Sequence, residues 1–316
     1  MMQHHGDDLY NYPNIQINFS SNIWTHADLS LLKEHLSKHL DLIRNYPEPE
    51  ARSLEKILAE RLGISQEEIL VTNGATDAIR LIANSFSERN QVTLHPTFSE
   101  YPEKKGTGVL RWICNPNNPT GHSRPPAELI PPHDSDDLHV IDQAYEDYTL
   151  APMLTDRDIV DRPNCILLHS MTKKYCIPGL RLGYLTAHRD LIARLRRNMV
   201  PWSVNALAIE AGKFLVTNDI HVLPEMAWLL KETQRFRYLL NQIEGCEAQP
   251  TDTHFFLVRL GGHSARQVKE ALAQRYGILV RDASTFKGIG PEYIRLATQL
   301  PEENDKLIRC LIQYLS

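Results

Sequence analysis

Lys173 stands shortly after the apolar run 166–169, with Ser170 three residues before it and Arg181 eight after it. If that run is a strand, the lysine sits at its C-terminal end, where ligands collect in open α/β sheets. A hydroxyl, an amine and a guanidinium around one point suit a phosphorylated aldehyde. The amine condenses with the carbonyl while the other two groups hold the phosphate. A Lys-Lys pair in a loop is, taken alone, more often a solvated surface feature, but three further motifs argue otherwise. Asn115-Pro-Asn-Asn118-Pro119-Thr120-Gly121 is a stiff turn leaving a strand, and it offers the Asn118 amide to a ring hydroxyl. Asp142-Gln-Ala-Tyr145 follows the strand-like 139–141. A carboxylate there can keep a pyridine nitrogen protonated, because an adjacent opposite charge favours the charged form. Asn73-Gly74-Ala75-Thr76-Asp77 separates a strand pattern from a helix pattern, and backbone N–H groups exposed at such a helix start form a phosphate site.

These groups need strands and helices to carry them. The first 27 residues have no clean periodicity and read as an extended arm. Leu29, Leu32, Leu36, Leu40 and Ile43 then recur at helical spacing, with Asp28 placed to cap the helix. A second helix is expected over 53–62, stopped by Gly63. Strand patterns follow at 69–72, 91–94, 109–114, 138–141, 166–169 and 183–186, with a helix at 75–86. Short buried strands alternating with helices predict a mostly parallel sheet covered on both faces. Past Pro201 a long helical region covers 220–243, with Gly245 near its end. A strand at 255–259, a helix at 264–275, strands at 278–281 and 294–297 and a last helix to 315 complete a smaller α+β unit.

Composition bounds the function classes. A chain of 316 residues is long enough for about two domains of ~150 residues each. Hydrophobic residues at 42% and charged residues at 23% are ordinary for a globular protein and exclude collagen-like, mucin-like and largely disordered readings. No apolar run approaches the ~18 residues of a membrane span, and the N-terminus lacks the basic cluster and apolar core of a secretory signal. The formal charge of −5 gives no reason to expect nucleic-acid binding. Cys114, Cys165, Cys176, Cys246 and Cys310 include no C-x-x-C pair, so neither a disulfide framework nor a metal ribbon is expected, and a reducing, cytoplasmic setting fits.

In this order the four motifs resemble pyridoxal-phosphate enzymes of the aspartate-aminotransferase superfamily (fold type I), over nearly the whole chain from about Tyr46. The resemblance implies pyridoxal 5′-phosphate as cofactor and an α/β fold. A large domain (45–215) with a mostly parallel, seven-stranded-type sheet would precede a small α+β domain (216–316), against which the arm and first helix (1–44) would pack. Carried over residue by residue, Lys173 matches the lysine that joins the cofactor aldehyde, and Asp142 the partner of the pyridine nitrogen. Asn118 and Tyr145 match contacts of the ring hydroxyl, and Gly74, Ala75, Thr76, Ser170 and Arg181 the phosphate cup. Phe98, in Pro96-Thr-Phe-Ser-Glu-Tyr101, falls where an aromatic stacks on the ring. Arg295, in Tyr293-Ile-Arg-Leu-Ala-Thr298, matches an arginine that grips the substrate carboxylate. Tyr46, in Arg44-Asn-Tyr-Pro-Glu-Pro49, matches a tyrosine reaching the partner subunit's phosphate, which implies a homodimer with shared active sites.

Within the superfamily the chain is similar to the histidinol-phosphate aminotransferase branch, and most of all to threonine-phosphate decarboxylases of cobalamin synthesis. Residues 170–184, Pro201-Trp-Ser-Val-Asn-Ala-Leu-Ala208, and the arm with His5-Gly6 and Asn18-Phe-Ser-Ser-Asn22 carry this likeness. It implies that His5, Ser21, Asn22 and Arg281 help enclose a phosphorylated amino acid. The Asp142-Gln-Ala-Tyr145 segment looks more like the aminotransferases, so decarboxylation and transamination both stay open. A third reading is a non-catalytic effector sensor. Such modules usually follow a DNA-binding domain, for which there is no room before Tyr46, and the retention of Lys173, Asp142 and Arg295 favours an enzyme. The chain is much shorter than its relatives between Tyr101 and Asn115, and is trimmed between Gly121 and Asp142. One sheet edge or its covering helices are therefore expected to be missing.

Overall fold

The structure, a computed structural model, describes residues 8–315. The arm forms a short strand, β1 (Ile17–Asn18), before helix α1 (Ser30–Lys38). The apolar periodicity at 29–43 overstates this helix. It tightens after Lys38 into a 3-10 segment, Leu40–Arg44, and of the stripe only Leu32 is buried, while Leu40 and Ile43 are 52% and 70% exposed. Leu29, not Asp28, is the N-cap residue, and the Asp28 carboxylate accepts the Ser30 N–H at 2.9 Å instead. Helix α2 (Arg52–Leu62) stops as expected: Gly63 adopts φ +68°, and its N–H reaches the Ala59 carbonyl at 2.9 Å.

Next come β2 (Ile69–Thr72), α3 (Ala75–Ser85), β3 (Asn90–Thr93), β4 (Val109–Cys114), β5 (Leu138–Asp142), α4 (Asp156–Ile159) and β6 (Cys165–His169). They are followed by α5 (Met171–Lys174), β7 (Gly183–Ala187), α6 (Arg189–Arg196) and α7 (Ala206–Thr217). The strands form one sheet in the order β2-β7-β6-β5-β4-β3. The strands β3 to β6 run parallel, and β7 is antiparallel to both its neighbours. Alternate residues face opposite sides of a strand. Leu70, Leu110, Val140, Ile166 and Leu185 therefore meet α3 and α6 on one face, while Ile69, Val71, Ile141 and Leu167 are buried on the other. Among the described residues the sheet has six strands, one fewer than the seven expected. The trimmed connection 94–108 contains no helix or strand; it runs back along edge strand β3, where Lys104 pairs with Gln91. That bridge shields part of an edge that would otherwise present unpaired backbone groups.

The rest of the chain forms α8 (Met226–Leu240), β8 (Cys246–Ala248), β9 (Phe255–Leu260), α9 (Ala265–Tyr276), β10 (Ile278–Leu279), β11 (Arg281–Asp282), β12 (Tyr293–Ala297) and α10 (Pro301–Leu315). The helix expected over 220–243 begins only at Met226, because Pro224 has no N–H to donate and biases its predecessor away from helix. The sequence reading assigned no helix to α7. The strand expected at 278–281 splits and changes partners. Its first half, β10, pairs in parallel with β1, and β11 joins the antiparallel sheet β11-β12-β9-β8. Phe19 of the arm packs into the core of this unit with Phe236, Phe256, Leu272 and Leu296. Helix α1, in contrast, rests on α7. Residues ahead of α2 thus pack partly on the core of this smaller unit and partly on α7.

Candidate active site

The C-terminal ends of β4, β5 and β6, the start of α3 and the arm converge on a cavity of about 270 Å³. A wider cleft of about 770 Å³ lies between residues 8–14 and α9, and of the expected site residues it reaches only Arg281. The smaller cavity is lined by most of the other expected site residues.

Helix α5 is a single turn, and it separates the two lysines. Lys173 Nζ donates to the Ser21 carbonyl at 2.9 Å and lies 5.6 Å from the centre of the Tyr145 ring. Lys174 turns away to Asp147 at 3.0 Å. Just ahead of the turn, His169 bonds Glu146 through Nδ1 (2.7 Å) and Asp156 through Nε2 (3.0 Å). Burial opposes its charge, but the two carboxylates outweigh that and raise its pKa to about 10. A fixed imidazolium therefore anchors the end of β6 one residue before Ser170.

Asp142 ends β5 and is buried. Its Oδ1 accepts the Ala144 N–H at 2.9 Å, and its Oδ2 accepts the Tyr101 hydroxyl at 2.7 Å. Burial pushes this carboxyl up, while the two hydrogen bonds and His169 pull it down. The Tyr101 ring lies parallel to Trp112 at 5.4 Å, and Phe98 meets Tyr101 edge-on at 5.6 Å.

At the opposite end Gly74 is the N-cap of α3 with φ +79°. A Cβ there would come within 2.8 Å of Arg181 Nη2, so glycine lets the guanidinium lie against the helix start. Ala75 and Thr76 open α3, where the first N–H groups have no intrahelical acceptor. The Ser170 and Thr172 hydroxyls, 2.7 Å apart, complete this end. A dianion-binding end, a buried carboxylate at the other and an amine between them fit pyridoxal 5′-phosphate.

A third group of side chains surrounds the remaining opening. Arg295 donates to Asn118 Oδ1 at 2.6 Å and to the Ser20 carbonyl at 2.5 Å. The Tyr145 hydroxyl accepts from Asn22 Nδ2 at 3.5 Å. Burial raises its pKa to about 12 against the opposing effects of Arg295 and that bond, so it stays protonated at neutral pH. Ser21 Oγ and Asn22 Oδ1 are buried without a hydrogen-bond partner, as expected of polar groups shaped to meet a ligand. Arg281, the cross-strand neighbour of Arg295, lines the wider cleft instead; it is buried, donates to Thr285 Oγ1 at 2.8 Å, and is held below the usual arginine range by that burial.

The structure thus gathers Gly74, Ala75, Thr76, Phe98, Asn118, Asp142, Tyr145, Ser170, Lys173, Arg181, Ser21, Asn22 and Arg295 in or beside one cavity. Tyr46 is not among them. It is 86% exposed, with its ring 5.4 Å from that of Trp202. His5 lies outside the described residues. Sequence reasoning missed Tyr101, although it closes the same motif that pointed to Phe98, because nothing local tells that its hydroxyl reaches Asp142. It also missed Thr172 and Cys114, both in the cavity wall. Burial raises the Cys114 thiol to about 12, so it is an inert wall and not a nucleophile. His254, fully buried and stacked on Tyr148 at 3.9 Å, escaped notice as well. Burial, with Lys173 and Arg295 nearby, keeps its imidazole neutral.

A family model of the class I and II aminotransferases matches residues 99–311, and the chain belongs to that family. It is a pyridoxal-phosphate-dependent enzyme. The chain is 30% identical to a threonine-phosphate decarboxylase of Salmonella typhimurium, over 96% of this chain and 92% of that one. It is 29% identical to a histidinol-phosphate aminotransferase of Symbiobacterium thermophilum, over 85% and 82%. The crystal structure of L-threonine-O-3-phosphate decarboxylase from Porphyromonas gingivalis superposes with a TM-score of 0.89 at 34% identity, covering 95% of this chain and 99% of that chain. A histidinol-phosphate aminotransferase from Sinorhizobium meliloti, solved with pyridoxal-5′-phosphate, shares the fold at 19% identity with a TM-score of 0.82.

Proposed function

We propose that this enzyme decarboxylates a phosphorylated amino acid, with threonine phosphate as its substrate. The observation that carries the reading is a pair of buried arginines, Arg281 and Arg295, directly opposite each other on β11 and β12. Two such cations suit a ligand with two anionic groups. Arg295, already held by Asn118 and the Ser20 carbonyl of the arm, takes the carboxylate, and Arg281 takes the phosphate. The relatives named as threonine-phosphate decarboxylases support the same choice.

Within this reading each residue has a task. Pyridoxal phosphate, when bound, supplies a protonated ring that accepts the electron pair left as a bond to Cα breaks. The Asp142 carboxylate keeps the ring nitrogen protonated, and the Tyr101 hydroxyl holds that carboxylate in place. Gly74, Ala75, Thr76, Ser170 and Arg181 bind the cofactor phosphate, Phe98 covers the ring, and Asn118 and Tyr145 address its hydroxyl. Lys173 Nζ would hold the cofactor through its aldehyde and is placed to move a proton at the substrate Cα. Clamping both anions would fix the orientation of the substrate's Cα–carboxylate bond towards the bound cofactor.

Threonine phosphate should release CO₂ with no keto acid present. A requirement for 2-oxoglutarate, with glutamate formed, would make the chain a histidinol-phosphate-type aminotransferase, the reading that Asp142-Gln-Ala-Tyr145 favours. The enzyme is proposed to work as a homodimer: Leu40, Ile43, Tyr46 and Trp202 are all at least half exposed, and a second copy would cover them. The five free, buried cysteines fit a cytoplasmic setting, and no described helix is long and apolar enough to cross a membrane.

A further inference from the structure

Away from the cavity, His35 and His39 of the α1 C-terminus face Glu210 of α7. We propose that these three side chains form a binding site for a zinc-class divalent transition-metal ion, which ties α1 to α7. The three candidate ligand atoms lie within 4.8 Å of one another, and this is the one such cluster of His, Cys, Asp or Glu found among the described residues.

Spacing supplies the first argument. Residues i and i+4 share one helix face, so the two imidazoles stand side by side with ring centres 4.2 Å apart. Glu210 Oε1 is 2.8 Å from His35 Nε2 and 4.0 Å from His39 Nε2. Neighbouring ligands in a tetrahedral zinc site are about 3.4 Å apart, given metal–ligand bonds of about 2.1 Å. The two observed distances bracket that value, so small side-chain rotations suffice.

The surroundings supply the second. His39 Nδ1 lies 2.8 Å from the His35 carbonyl oxygen. A carbonyl can only accept, so Nδ1 is the donor and Nε2 is left to face Glu210. A metal-bound histidine is held in the same way, its far N–H given to a backbone carbonyl. Phe214 stacks on His35 at 4.2 Å and sets its plane, and Lys213 holds Glu210 Oε2 at 3.0 Å, leaving Oε1 to face the rings. On binding, His35 Nε2 loses its proton, to solvent or to Nδ1, and the cation takes its place beside Oε1. Two imidazoles and one carboxylate favour zinc, cobalt, nickel or copper over magnesium or calcium. Water fills the remaining positions.

The test is calorimetric titration of the holoenzyme with ZnCl₂, for the wild type, His39→Gln and Glu210→Gln. Both variants keep side-chain size, and each is checked for an unchanged melting point without metal and an unchanged cofactor absorbance. The expected result is one zinc per chain, weakened at least tenfold in each variant, and a melting point that zinc raises in the wild type only. No zinc binding by the wild type would overturn the site. So would wild-type affinity in both variants, which would place the ion elsewhere.

Discussion

Arg281 and Arg295 are cross-strand partners, and both guanidinium groups lie over the ring of Phe286, 5.3 and 5.9 Å from its centre. Like charges directly opposite in a sheet are destabilising, and burial makes the arrangement worse. A pairing of this kind is tolerated for what it binds. Arg281→Met should therefore leave the cofactor absorbance intact and the melting point unchanged or higher. It should weaken use of threonine phosphate by roughly tenfold or more, since a charge-assisted hydrogen bond contributes about 1.5–3 kcal/mol. Steady-state kinetics beside a melting curve checks both halves; a collapsed melting point with unchanged kinetics would refute the assignment.

The two lysines of α5 should behave oppositely. Lys173→Ala is expected to abolish the visible absorbance of the bound cofactor and all turnover. Lys174→Ala removes only the partly exposed ion pair to Asp147, which contributes about 0.2–1 kcal/mol, and should keep both. Loss of the absorbance in Lys174→Ala would show the assignment to be off by one residue.

Tyr101→Phe deletes one of two hydrogen bonds that hold the Asp142 carboxylate in its charged form. Burial already raises this carboxyl, so losing the hydroxyl moves it further up, and protonation sets in at higher pH. The acid limb of the kcat/KM profile should shift upward in the variant, and cofactor affinity should fall. An unmoved acid limb would remove Tyr101 from the site.

His169 gives a stability test with a defined sign. Its folded-state pKa is raised to about 10, above the unfolded value near 6.5. The stability it contributes is thus complete below the unfolded value and is lost as pH rises through about 10. His169→Gln should cost about 3 kcal/mol at pH 6, because it leaves the buried Asp156 and the partly exposed Glu146 carboxylates uncompensated. The gap between wild type and variant, measured by denaturant titration, should narrow steadily towards pH 10. A constant gap would mean that the imidazole is neutral.

Light scattering tests the assembly. The wild type should be a dimer, and Ile43→Asp, on the exposed apolar stretch, should shift it towards monomers with weaker cofactor binding. Tyr46→Phe in the dimer should cost about 1.5–3 kcal/mol of cofactor affinity if its hydroxyl reaches the neighbouring phosphate. A fully active monomer would contradict the shared site.

Features set by a few adjacent residues were legible in the chain alone. The strands at 69–72 and 109–114, the stop at Gly63 and the glycine opening of α3 each follow from a short apolar run bounded by turn residues or from a positive φ, which neighbours in sequence impose. The motifs around Asn118, Asp142 and Lys173 were legible for the same reason, since each sits where a strand pattern ends. Sheet order then decided what meets what. The bond from Tyr101 to Asp142 spans 41 residues, and that from Arg295 to Asn118 spans 177. The choice of Lys173 over Lys174 was legible from its spacing to Ser170 and Arg181, but its place beside Ser21 depends on the turn of α5, which sends Lys174 to Asp147. The apolar repeat at 29–43 misled because periodicity records which side is apolar, not whether anything in the same chain covers it. Such pairings depend on long-range packing that no local pattern encodes, and they bring one end of the chain against the other.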